Sequence, residues 1–148
     1  MYKKLMAYIK EYKLASLLAP IFVSLEVVME VLIPMMMAQI IDVGLANNNI
    51  PYVYKIGIIM IGMALISLLF GALSGRYAAV ASAGVAKNLR QAIYYKIQDF
   101  SFANIDKFST SSLVTRLTTD VTNVQNAYQV IIRMMVRAPI MLIFALFM

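Results

Sequence analysis

The chain has 148 residues, of which 62% are hydrophobic and 14% charged, whereas a soluble domain runs at about 45–50% apolar and about 25% charged. Thirteen bases against seven acids give a net charge of +6, a balance that suits either nucleic acid or an anionic membrane leaflet, so the position of the charges has to decide. Cysteine and histidine are both absent, which excludes disulfides, thiolate and imidazole catalysis, and nearly all zinc or haem ligation.

Residues 1–13 set Leu5, Met6 and Ile9 against Lys3, Lys4, Lys10 and Lys13. This pattern predicts an amphipathic interfacial helix, with a frayed basic tail as the plainer alternative. The apolar stretch that opens at Leu14 continues well past the length of a signal-peptide core, so it reads as a retained span. That first span covers residues 14–46 and carries Pro20, Glu26, Glu30 and Pro34, which predict a bend. Asn47, Asn48, Asn49 and Pro51 supply an outer turn over residues 47–52.

No proline interrupts the sequence between Pro51 and Pro139, and no ionisable residue occurs from Ile56 to Ser74. A helix over residues 53–102 would reach about 75 Å, against a hydrocarbon core of about 30 Å, so much of it must project into water. The sequence changes accordingly after Gly75, where Arg76, Lys87, Arg90, Lys96 and Asp99 alternate with Ala79, Val80, Ala83, Leu89, Ile93 and Ile97. Residues 103–112, rich in Ser, Asn, Asp and Thr, turn the chain back. A third helix over residues 113–148 begins polar and ends in the apolar segment Ala138 to Met148. That segment is shorter than the roughly 20 residues a span requires, so truncation is expected.

Lysine and arginine concentrate in the N-terminal segment and between Arg76 and Arg137, while residues 46–54 hold none. The asymmetry predicts a multi-pass protein with its N-terminus in the cytoplasm. The bases are not interleaved with exposed stacking aromatics, which argues against nucleic acid as a partner.

Three groups of side chains stand out. Ser67, Gly71, Gly75, Ala79 and Ala83 recur every four residues and predict a helix-packing stripe, with a substrate-facing groove as the alternative. Glu26 and Glu30, four residues apart, share one face of the first span. Carboxylates there cost about 2.5–3.5 kcal/mol each unless they face a cavity or a partner, so they either line a pathway for cationic or amphipathic substrates or pair with polar groups on further helices. Asp42 reads as a hydrogen-bonding group at the end of the same helix. Arg133 and Arg137 read as snorkelling anchors at the start of the third span. The twelve methionines fit adaptable packing.

The most specific segment runs from Phe108 through Ser109, Thr110, Ser111, Ser112, Leu113, Val114, Thr115, Arg116, Leu117, Thr118, Thr119 and Asp120 to Val121. It resembles the first intracellular loop of ATP-binding cassette exporters, in which an aromatic residue and a short polar coupling helix precede Leu-x-x-Arg-Leu/Ile-x-x-Asp-Val. Leu113, Arg116, Leu117, Asp120 and Val121 match, and Ser111 stands where the family commonly has glycine. Arg116 and Asp120 are spaced to pair on one helix face, which contributes about 0.2–0.5 kcal/mol. The order of elbow, first span, outer loop, long helix, coupling turn and returning helix resembles the family along the whole chain. Residues 41–44 and 101–108 resemble bacterial multidrug-type half-transporters.

The resemblance implies an all-α membrane protein of the cell membrane, part of a six-helix domain that joins a nucleotide-binding domain and a second half-transporter, identical or different. It implies that Ser109, Thr110, Ser111, Ser112, Leu113, Arg116 and Asp120 transmit force from ATP binding. No Gly-x-x-x-x-Gly-Lys-Ser/Thr loop occurs here, so ATP and Mg2+ are expected in the nucleotide-binding domain and not in this segment. The alternatives are a proton-coupled transporter using Glu26 and Glu30, or a helical scaffold whose cytoplasmic hairpin binds a partner.

Overall fold

A computed structural model describes residues 9–98 and 114–147 of the chain. A single 3-10 turn, Lys10–Tyr12, leads into α1, Lys13–Gln39, which widens into a π-helical segment at Ile40–Leu45. After a short turn comes α2, Ile50–Gln98, and after the residues outside the description a π-helical segment, Arg116–Asp120, runs into α3, Val121–Phe147. Among the described residues there is no strand. The architecture is all-α.

Helix α1 persists through Pro20 and Pro34. Proline removes a backbone donor, and in spans such interruptions are tolerated because hydroxyls and neighbours satisfy the freed groups. The carbonyls that lose a donor here are those of Ser16 and Glu30, four residues before each proline, while the Ser24 hydroxyl donates to the Pro20 carbonyl at 2.9 Å as a back-bond within the helix. The outer turn depends on asparagine. Asn48 has φ 50°, in the left-handed region that asparagine tolerates better than most residues. Asn49 Oδ1 accepts from the Tyr52 N–H at 3.2 Å and caps the start of α2. The side chain of Asn47 donates to the Val43 carbonyl at 3.0 Å.

The long second helix predicted over 53–102 is described as a single α-helix of 49 residues, about 74 Å at about 1.5 Å per residue. Each helix contributes to two compact units. One combines Met1–Leu17 with Tyr77–Ile132, and the other Leu18–Arg76 with Arg133–Met148. The division within α2 falls at Arg76, where charge returns after the run from Ile56 to Gly75 that carries none.

In the first unit the core is a run of small residues on α2. Ala78, Ala81, Ser82, Val85 and Ala86 are buried together with Ala15 and Val121. A Cβ at Gly84 would overlap the Tyr12 ring, so the aromatic side chain lies directly against the α2 backbone. The Ser16 hydroxyl and the Tyr128 hydroxyl share a hydrogen bond of 3.1 Å, and Arg90 donates to the Thr122 hydroxyl at 3.3 Å. In the second unit Ala19, Val23, Glu26 and Val27 form the buried face of α1, at the i, i+3, i+4 spacing of one helix face. Phe22 and Phe70 stack with centroids 6.1 Å apart.

The apolar surface that remains is large. Lys13–Leu45, Ile50–Gln98 and Arg116–Leu146 are each long and apolar enough to cross a membrane, and 6% of the most apolar stretch of the second and 0% of that of the third is buried. Leu65, Leu68, Leu69, Met134, Met135 and Leu146 all point outward. Side chains so placed require lipid or further helices around them. This is a membrane protein.

Candidate functional site

The polar centre of the second unit is built from α1 and α3. Glu26 and Glu30 lie one turn apart on α1, and Arg137 of α3 reaches both. Its Nη1 donates to Glu26 Oε1 at 3.2 Å, while Nη2 donates to Glu30 Oε1 and Oε2 at 2.9 and 2.8 Å. Both contacts are ion pairs. The guanidinium is suited to this task because its planar, separately directed N–H groups can serve two acceptors at once.

The two carboxylates sit in different surroundings. Glu26 is buried, its side chain 11% exposed, whereas Glu30 and Arg137 retain 32% and 36%. The Glu26 carboxyl lies over the backbone of α2 at Gly71, where a Cβ would stand 3.0 Å from Oε1 and 3.2 Å from Cδ. Only glycine leaves that space without a shift in the carboxylate. Two carboxylates facing one guanidinium leave one negative charge over. The second oxygen of Glu26, Oε2, is buried without a hydrogen-bond partner among the described residues, and so is the hydroxyl of Ser74, one turn beyond Gly71 on α2.

This arrangement corrects the reading of Arg137 as a snorkelling anchor. Its head is held between Glu26 and Glu30. It also supplies from within the chain a partner that the sequence alone assigned either to substrate or to other helices. The missed signal was present: an isolated arginine just before the apolar end of one candidate span, and an acid pair in another.

The predicted stripe divides. Gly71 meets Glu26, but nothing lies within 4 Å of a Cβ at Gly75. Ala79 and Ala83 are exposed, while the buried face of α2 passes through Ala78, Ala81, Ser82 and Val85. Tyr12 and Gly84, which pack against each other in the first unit, carry no motif that singles them out.

Ser109, Thr110, Ser111, Ser112 and Leu113 lie outside the described residues, as does most of the amphipathic N-terminal segment. Arg116 and Asp120 begin and end the π-helical turn at the start of the third helix. They border a groove of about 460 Å³ in the first unit, floored by Leu89, Ile93 and Ile97 of α2 and Val124 of α3. Asp42 is exposed within the π-helical segment at the outer end of α1. Among the described residues no group of acids could hold a metal ion.

Long apolar helices, one of them more than twice the length of a span, and a partly buried ionic centre between two of them define a polytopic membrane domain. The family model of the ABC transporter transmembrane region matches residues 16–148. The chain is 37% identical over 140 residues to the ABC transporter ATP-binding protein YfiB of Bacillus subtilis, an alignment covering 95% of this chain and 24% of that protein. It is 27% identical over 140 residues to an ABC transporter ATP-binding protein of Mycobacterium tuberculosis, covering 95% of this chain and 22% of the relative. With the ATP-dependent lipid A-core flippase of Pseudoalteromonas translucida it shares 26% identity over 145 residues, 98% of this chain and 25% of that protein. The chain belongs to the ABC transporter transmembrane region family, and it spans about a quarter of the length of these relatives.

Proposed function

We propose that the chain forms the leading part of the membrane domain of an ATP-driven exporter of amphipathic molecules. The observation that carries this reading is the continuous 49-residue helix α2, in a chain matched by the transporter family from residue 16 to residue 148. A helix of about 74 Å is some 40 Å longer than the hydrocarbon core requires, and a lever of that kind is what transmission from a cytoplasmic ATPase to a membrane pathway needs. The relatives named as ATP-binding proteins support a nucleotide-binding domain as the partner, and the relative named as a flippase supports a lipid-like or amphipathic substrate.

In this reading residues 109–112, with Leu113, Arg116 and Asp120, contact the nucleotide-binding domain, and a second half-transporter, identical or different, completes the pathway. The N-terminus faces the cytoplasm, because lysine and arginine collect there and around residues 76–137. ATP and Mg2+ act in the nucleotide-binding domain.

The test is transport by the full-length protein in proteoliposomes. Uptake of a fluorescent amphiphile by inside-out molecules that requires ATP, and stops when the nucleotide-binding domain is inactivated, supports the reading. Uptake driven by a pH gradient without ATP would replace it with a proton-coupled transporter.

A further inference from the structure

We draw no further inference here: the strongest candidate, the groove in the first unit between the end of α2 and the start of the third helix, floored by Leu89, Ile93 and Ile97 and bordered by Lys96, Arg116 and Asp120, carries nothing, because its rim mixes both charges and nothing in the structure shows what covers it.

Discussion

A single nitrogen of Arg137, Nη2, donates to both carboxylate oxygens of Glu30, at 2.9 and 2.8 Å, which leaves Nη1 free to engage Glu26 one turn away. The third helix is thereby tied to the first at two successive turns. Removing the guanidinium leaves buried Glu26 without its cation; breaking a fully buried pair from one side costs about 3–5 kcal/mol, and the partial exposure of Glu30 and Arg137 brings the cost here below that range. Arg137→Met in the full-length protein should therefore lower the thermal midpoint, read by fluorescence-detected size exclusion. The triple variant Glu26→Gln, Glu30→Gln, Arg137→Met should recover most of the loss. Arg137→Lys should lie between, because one ammonium cannot present separately directed donors to two acids.

At Gly71 the expected cost comes from space. A methyl group there would meet the Glu26 carboxyl at 3.0 Å, and overpacking of this kind costs about 1–3 kcal/mol. Gly71→Ala should destabilise the protein, whereas Gly57→Ala, with nothing within 4 Å of the new methyl, should be neutral or gain up to about 1 kcal/mol of helix propensity. Thermal midpoints of the two variants compared side by side check the contrast.

Tyr12 and Gly84 should be energetically coupled. Gly84→Ala places a methyl group inside the space of the Tyr12 ring, and Tyr12→Ala vacates that space. The double variant should be less destabilised than the sum of the single ones, with a coupling of about 0.5–3 kcal/mol. Additive losses in that cycle would show that the N-terminal turn does not seat against α2.

Tyr128→Phe removes one partner of the 3.1 Å bond to Ser16. The expected loss is about 0.5–1.5 kcal/mol, read as a modest fall in thermal midpoint. Ser16→Ala should behave alike, and combining the two should add little.

The sequence disclosed the helices better than their contacts. The proline-free run from Tyr52 onward announced a helix longer than a membrane, because length and the absence of breakers are local properties. Helix faces were less legible. The four-residue repeat Gly71, Gly75, Ala79, Ala83 drifts around an α-helix of 3.6 residues per turn, and the buried face follows Ser74, Ala78, Ala81, Ser82 and Val85 instead. That alanine-rich stretch offers small residues on several faces, so spacing alone could not choose among them. The role of Arg137 depends on which turn of α3 meets which turn of α1, a tertiary relation that no local pattern encodes. Glu26 and Glu30 are legible as carboxylates in an apolar helix, costly when unpaired, while their contact with Arg137 required the fold.

The proposed coupling of this membrane segment to ATP runs through residues 109–112. The most direct test is disulfide cross-linking of Ser111→Cys, in a full-length transporter otherwise free of cysteine, to single cysteines placed along the facing groove of the nucleotide-binding domain, with and without ATP. The account predicts efficient cross-linking at one or more groove positions, with a yield that changes when ATP binds. A folded transporter that forms no cross-link at any position, with or without nucleotide, would contradict it.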